Sequence, residues 1–361
     1  MQVEKGIVGE IINWTKTKME INNLLKEAVE LGASDLHLAV SHKPIVRING
    51  ELRDLDEYEE ISITESKKMI DSILTVNQKK KYQEERELDL SYEINKIGRF
   101  RINLFWERDN PGFVGRIINS KIPKPEELGL GEVALKMIKQ KQGLILVTGL
   151  TGSGKSTTLA SMVNYLNENE ALSIVTLEDP IEYIFPKLKS LISQRELGSD
   201  MISFSEGLRH VLRQDPNVIM VGEMRDLESI ALVLTLAETG HLVLATIHTP
   251  NAAQVVDRII DVFPSYQQQQ IRLQFSSLLT GVISQQLLPK KGGGRIAARE
   301  ILLNTPAISN IIRENKIAQI KTVLQTSADK GMMTMNQSIK ALYENDLIEK
   351  EVAKNYFTEE D

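Results

Sequence analysis

Four short apolar runs, at 144–148, 173–177, 218–221 and 242–247, each end on a polar or glycine-rich cluster. The clusters are Gly149-Leu-Thr-Gly-Ser-Gly-Lys-Ser156, Glu178-Asp179, Gly222-Glu223 and His248-Thr249. The runs lack the alternation of a half-buried strand and are separated by helical stretches. That pattern argues for a parallel α/β sheet covered by helices on both faces. Ligands of such sheets bind beyond the carboxyl ends of the strands, so the four clusters fall where one shared site would be.

The first cluster defines the ligand. Gly149-x-x-x-x-Gly154-Lys155-Ser156 is a complete P-loop pattern, with a strand before it and, over 157–166, a helix after it. Glycines let backbone N–H groups curl around phosphate oxygens without a Cβ in the way. Lys155 can reach the β and γ phosphates, the Ser156 hydroxyl can take a Mg²⁺ position, and the helix N-terminus faces the anion. Gly149, Thr151, Gly152, Ser153, Gly154, Lys155, Ser156 and Thr157 are therefore the expected ATP-binding residues. A dinucleotide fingerprint fits less well, because its glycine spacing is not met and Lys155 suits a triphosphate.

Three strand-end residues supply candidate chemistry. Glu223 can orient Mg²⁺ through water, and Ser156 and Glu223 are the expected metal-side residues. The competing reading of Glu223 is an ordinary ion pair with Arg225. Glu178 is the best general base, able to polarise an attacking water within one hydrogen bond. The adjoining Asp179-Pro180 is also a turn signal, which leaves a purely structural role open. His248 can hydrogen-bond the γ-phosphate as a neutral imidazole or be a satisfied strand-end histidine. His241 lies seven positions earlier on the same run, so the two cannot point into one metal site.

Ahead of the P-loop the pattern differs. Loose helical spacing over 5–31 is followed by β-like segments at 35–38, 45–50, 88–94 and 100–105, with a helix near 63–74. A Pro/Gly-punctuated stretch, Ile122-Pro-Lys-Pro125 and Leu128-Gly-Leu-Gly131, reads as a linker and hinge. The expected division is an extension at 1–20, a small α+β domain at 21–120, a linker at 121–131 and the α/β core at 132–361.

Composition narrows the function classes. Lys and Arg number 43 against 49 Asp and Glu, for a net charge of −6, and aromatic residues are 5%. Neither favours nucleic acid as a partner. The absence of cysteine excludes disulfides, thiolate catalysis and cysteine-ligated metal centres. No apolar stretch approaches the roughly 18 residues of a membrane span, and the first 20 residues carry charges where a signal peptide has its apolar core. Any membrane association is expected to be peripheral and the location cytoplasmic.

Longer segments carry a family resemblance. Ala33-Ser-Asp-Leu-His-Leu38, Arg47-Ile-Asn-Gly50 and Gly98-Arg-Phe-Arg-Ile-Asn103 precede the P-loop, and Leu177-Glu-Asp-Pro-Ile-Glu-Tyr183 follows it. Leu212-Arg-Gln-Asp-Pro-Asn-Val-Ile-Met-Val-Gly-Glu-Met-Arg-Asp226 and Thr239-Gly-His-Leu-Val-Leu-Ala-Thr-Ile-His-Thr249 come next. In these the sequence resembles the PilT-like type IV pilus retraction (twitching motility) ATPases of the secretion and pilus ATPase superfamily. The resemblance implies a PAS-like N-terminal domain, a RecA-like P-loop core and a homo-hexameric ring. It also implies a membrane-embedded platform protein at the pilus base as partner, at the cytoplasmic face of the inner membrane.

It further implies that Glu178 activates water, that Glu223 is the Walker B carboxylate near Mg²⁺ and that His248 is linked to the γ-phosphate. Arg99, Arg101 and Arg116 are implied to lie near a neighbouring subunit's ATP or at the domain interface, where permanently charged guanidinium groups offset charge on the transferred phosphoryl group. Taken singly on an alternating strand, Arg99 and Arg101 also read as surface charges.

Retraction is preferred over extension or secretion. Those ATPases usually have longer N-terminal regions and often a four-cysteine zinc element, and this sequence has no cysteine. The segments at 259–264, 284–289 and 300–308 agree with retraction ATPases. Three positions depart from the family pattern: Leu150 stands for proline, Pro250 for asparagine, and Ala307-Ile-Ser309 for the family's Ala-Ile-Arg. The alternatives are a related pilus-assembly, secretion or DNA-uptake ATPase, or a nucleotide-binding subunit that does not hydrolyse.

Overall fold

The computed structural model describes residues 19–48, 50–95, 97–118 and 121–357. The chain forms two compact units, Met1–Ser120 and Lys121–Asp361. Most of the expected extension at 1–20, and with it the front of the helix expected over 5–31, lies outside the described residues.

The first unit begins with α1 (Ile21–Glu30), which buries Ile21, Leu24, Leu25 and Ala28 at helical spacing. Its strands are β1 (Asp35–Leu38), β2 (Ile45–Ile48), β3 (Glu51–Asp54), β4 (Leu88–Ile94), β5 (Gly98–Glu107) and β6 (Asn110–Ile118). All pair antiparallel in the order β3-β2-β1-β6-β5-β4. Two helices intervene, α2 (Ile63–Asp71) and α3 (Val76–Glu85), each opened by a reciprocal capping box, Ser62 with Glu65 and Thr75 with Gln78. Period-two alternation sends Phe100, Ile102 and Leu104 into a core with Leu36, Leu38 and Phe113. Edge strand β3 is wholly exposed, and its Glu51, Arg53 and Asp54 discourage pairing with another strand.

The second unit is a seven-stranded sheet. Its strands are β7 (Gly143–Thr148), β8 (Ser173–Glu178), β9 (Leu191–Glu196), β10 (Val218–Val221), β11 (Leu242–Ile247), β12 (Leu279–Pro289) and β13 (Arg295–Leu303), in the order β13-β12-β7-β11-β10-β8-β9. Every pairing is parallel except β12 with β13. Successive residues of one strand enter different cores: Leu144 and Leu146 join α7 (Leu227–Glu238) and α8 (Ala252–Asp261), while Ile145 and Val147 join α4 (Glu132–Ile138) and α5 (Lys155–Asn169). Helices on both faces explain why these strands read as unbroken apolar runs.

The remaining helices are α6 (Phe204–Val211), α9 (Ser265–Leu278), α10 (Pro306–Arg313), α11 (Ile320–Thr326), α12 (Met335–Glu344) and α13 (Lys350–Tyr356). Residues 121–131 belong to this unit: Leu130 is buried, with Ile122 and Leu128 packed against the same core as α4 and α5.

Candidate nucleotide site

The P-loop joins β7 to α5 through a turn that only glycine permits at its ends. Gly149 has φ +147°, and a Cβ there would lie 2.4 Å from the Gln285 carbonyl oxygen and 2.5 Å from Ser153 Oγ. Gly154, at φ +86°, is the N-cap of α5. Lys155, the first helical residue, is buried, and its ammonium donates to the Gly149 and Leu150 carbonyls at 2.9 and 3.1 Å. Burial pulls its pKa down, partly offset by the charges of Glu223 and Glu182. The Ser153 hydroxyl is buried with no partner among the described residues. Thr151, Gly152 and Ser156 are exposed and Thr157 is half-buried.

The β12 residue Gln285 braces this turn from behind. It is almost fully buried, donates to the Ser153 carbonyl at 2.6 Å and accepts from Thr158 Oγ1 at 2.8 Å. Thr157 Oγ1 lies 2.9 Å from the Tyr183 hydroxyl, tying α5 to the segment after Glu178.

Glu178 closes β8 and is 7% exposed. Its Oε1 accepts from Thr176 Oγ1 at 2.6 Å and Gln194 Nε2 at 3.2 Å, and the Glu182 backbone also hydrogen-bonds the carboxylate. Burial nonetheless dominates and raises its pKa above the ordinary carboxylate value. Such a group remains a base only in its ionised form and is a stronger one for its raised pKa.

Glu223, just beyond β10, is a junction of charges. Its Oε2 accepts from Arg225 Nε at 2.9 Å, and its Oε1 lies 3.2 Å from His248 Nε2. Arg225 also donates to Asp179 Oδ2 at 3.2 Å. The ion pair with Arg225 thus exists, and it coexists with a direct link to His248. Arg225 joins the segments after β8 and β10, and His248 the end of β11. A Gly222 N–H to Leu177 carbonyl bond of 2.8 Å brings the β8 and β10 ends together. Histidine 241 is at the opposite end of β11, bonded to Leu236 and Thr239, and takes no part.

The phosphate turn, the paired strand-end carboxylates and the histidine therefore belong to one end of one sheet, and the sequence pattern of the Type II/IV secretion system protein family matches residues 15–354. The chain belongs to this family. Among type II/IV secretion system proteins it is 46% identical to the type IV pilus retraction ATPase PilT of Pseudomonas aeruginosa, over 93% of this chain and 97% of that one. It is 48% identical to the twitching motility protein of Neisseria gonorrhoeae, over 86% and 83%. A crystal structure of the pilus retraction motor PilT with bound ADP superposes with a TM-score of 0.89 at 44% identity, covering 95% of this chain and 98% of the other.

Other features of this family member lie in its first unit. Arg99, Arg101 and Arg116 share the polar face of the six-stranded sheet, opposite its core, with Arg101 and Arg116 direct cross-strand partners. Arg116 Nε donates to Asp35 Oδ1 at 3.0 Å, and Arg47 approaches Asp35 Oδ2 at 3.8 Å. Burial raises the Asp35 carboxyl pKa, but the Ser34 hydroxyl and Arg116 outweigh it and hold the group below its usual value. Arg99 lies 3.9 Å from Glu93. The three arginines are thus grouped with one another, in a different unit from the P-loop.

Sequence reading passed over Gln285, Thr148 and Gln194. Gln285 carried a visible signal, a glutamine pair interrupting the apolar run Gly281-Val-Ile-Ser-Gln-Gln-Leu-Leu288. Thr148 closes β7: its hydroxyl accepts from Thr249 N–H at 2.9 Å and has the Ile247 and Thr249 carbonyls at 2.9 and 2.6 Å for its proton. Nothing in a threonine ending a strand marks it for that role.

Proposed function

We propose that this chain is the ATP-driven motor that retracts a type IV pilus, working as a homo-hexamer at the cytoplasmic face of the inner membrane against a membrane-embedded platform protein. As a member of the secretion and pilus ATPase family it hydrolyses ATP. The observation carrying the proposal is the set of carboxylates at the ends of adjacent strands β8 and β10, with His248 on Glu223, beside a complete P-loop. A protein that only held nucleotide would not require buried Glu178 in addition to Glu223.

In this reading Gly149, Thr151, Gly152, Ser153, Gly154 and Thr157 cradle the phosphates, and Lys155 leaves its loop carbonyls for the β and γ phosphates. Glu178 accepts the proton of the attacking water, and His248 relates the γ-phosphate to Glu223. Hard oxygen donors suit Mg²⁺, so the Ser156 hydroxyl and Glu223 would hold it, the latter through water because its two oxygens already face Arg225 and His248. When bound, the ion neutralises charge on the phosphate oxygens.

A strand order that places β11 between the P-loop strand β7 and the carboxylate strand β10 favours a RecA-like core. An antiparallel sheet whose first and last strands meet at its centre favours a PAS-like first unit. The domain divisions we propose are 1–20, 21–120, 121–131 and 132–361. Arg99, Arg101 and Arg116 would serve ATP held by the neighbouring subunit, and the chain around Ile122 to Pro125 would act as the hinge for closing and opening. Nucleic acid is not a proposed partner. Among the described residues no helix is long and apolar enough to cross a membrane, so contact with the membrane would run through the platform.

The test pairs chemistry with output. Purified chain should release phosphate from ATP in the presence of magnesium, and Lys155→Ala should abolish both tight ATP binding and turnover. Cells lacking the gene should keep pili extended and lose twitching, with rescue by the native gene and none by Lys155→Ala. Normal retraction without the gene would refute the proposed output.

A further inference from the structure

The edge strand β9 grips the segment after Glu178 with its side chains. Gln194 and Glu196 share one face of that strand, being two residues apart. Glu196 accepts from Ile181 N–H at 3.0 Å. Gln194 Oε1 accepts from Phe185 N–H at 3.1 Å, and its Nε2 donates both to the Tyr183 carbonyl at 2.7 Å and to Glu178 Oε1 at 3.2 Å. The amide therefore has its carbonyl and both its protons committed. Flipping it would set its oxygen against a carboxylate and a carbonyl, so Gln194 faces Glu178 as a donor.

Thr176, the cross-strand partner of Gln194, reaches the same Glu178 oxygen from β8 at 2.6 Å. Turning the carboxylate would break both bonds. Both favour its ionised form, against burial and the charge of Glu182, which push the pKa up. Other charged groups of the adjoining segments are engaged elsewhere: Arg195 with the Asp200 carbonyl, Asp179 with Arg225, and Glu223 with Arg225 and His248. The Tyr183 hydroxyl lies 2.9 Å from Thr157 Oγ1 on α5. One amide thus stands between Glu178 and a residue bonded to the end of the P-loop.

We propose that Gln194 is a positioning residue of the ATPase reaction: its amide fixes the plane of the Glu178 carboxylate for taking the proton of the attacking water and, through Tyr183, ties that plane to the phosphate turn. The inference rests on the reading of Glu178 as the general base. It assigns β9, which contributes no residue to the phosphate turn, a part in the chemistry.

The test follows single-turnover phosphate release by the full-length chain with ATP and magnesium across pH. Gln194→Met removes the donor, and Gln194→Glu removes it while keeping the shape and an acceptor for Phe185. Both should slow release about tenfold or more at neutral pH, the scale of a misplaced reacting group, with ATP affinity within about twofold of native. Activity needs the ionised base, so the acid limb should move to higher pH by about 1–2 units, the scale of losing one hydrogen bond to a charged group, and the rate should recover as pH rises. In a Glu178→Gln background, Gln194→Met should add less than about twofold. An unmoved acid limb in Gln194→Glu, or a further tenfold loss in the Glu178→Gln background, would overturn the inference and leave Gln194 as a support of the 181–185 segment. Glu178→Gln that by itself kept turnover within about fivefold of native would instead bring down the reading of Glu178 as the base.

Discussion

Replacing Glu178 by glutamine separates its chemical role from its structural one. The amide keeps an acceptor oxygen for Thr176 Oγ1 and Gln194 Nε2, so the β8 end should hold its geometry. What it loses is the ability to take a proton. A positioned general base contributes about 10²- to 10⁴-fold, or about 2.7–5.4 kcal/mol at 1.36 kcal/mol per decade. Steady-state phosphate release should fall by that factor, while calorimetric ATP affinity changes by less than about threefold. The same substitution should stabilise the fold at neutral pH. Burial holds the Glu178 pKa above its ordinary 4.5, so the folded state binds this proton more tightly than the unfolded state. The stability that the protonated carboxyl contributes is complete below 4.5 and is lost as pH rises through the raised value. Glutamine never acquires the buried charge, so its melting temperature should exceed the native one at neutral pH, with the gap closing on acidification. Turnover within fivefold of native, or equal losses in binding and turnover, would show that Glu178 acts as part of the Asp179-Pro180 turn and not as the base.

Two further substitutions probe the supports of the site. Gln285→Leu leaves the Ser153 carbonyl and Thr158 hydroxyl without their buried partner, each costing about 1–3 kcal/mol; thermal denaturation should show a loss of that order together with a higher KM for ATP. Ser309→Arg removes a 2.9 Å bond to the Ser276 carbonyl, but that oxygen still accepts from Asn304 Nδ2 at 2.8 Å. Hydrolysis by that variant should stay within twofold of native, measured by phosphate release, so that any change in pilus retraction speed in complemented cells reports on output alone.

The four central strands were legible because burial on both faces leaves an unbroken apolar run, and β7, β8, β10 and β11 lie where those runs predicted. The placement of Glu178, Glu223 and His248 at one end of the sheet was legible for the related reason that each directly follows or closes such a run. The strand β6 was hidden by Pro111 and Gly112, which signal a turn. Here Pro111 is the second residue of the strand, opposite Trp106, and a Cβ on Gly112 would lie 2.6 Å from the Phe105 ring. The β12–β13 hairpin was hidden because Ser284, Gln285, Arg299 and Glu300 place polar side chains in its buried middle. Their partners come from distant parts of the chain: Ser153 and Thr158 for Gln285, Leu128 for Arg299, and the Ala252 N–H for Glu300. Pattern reading sees the polarity and not the partner that satisfies it.

The histidine segment contributes more than His248 to this end of the sheet. Strand β11 separates β7, which carries the P-loop, from β10, which leads to Glu223, so these parts cannot be aligned by strand pairing with each other. Threonines on β11 and beyond it make the connection. Thr249 bonds Thr148 at the root of the P-loop, Thr246 Oγ1 donates to the Gly222 carbonyl, and the Thr246 carbonyl accepts from Met224 N–H at 3.0 Å. With Gly222 N–H on the Leu177 carbonyl, the chain of bonds runs from the phosphate turn to the residue before Glu178. Most of these groups are buried, where hydrogen bonds are strong and leaving one unmade is costly. A displacement of His248 relative to Glu223 would therefore be resisted by the whole strand-end network, and in the proposed reading that network, more than the imidazole alone, would couple phosphate contact to the two carboxylates.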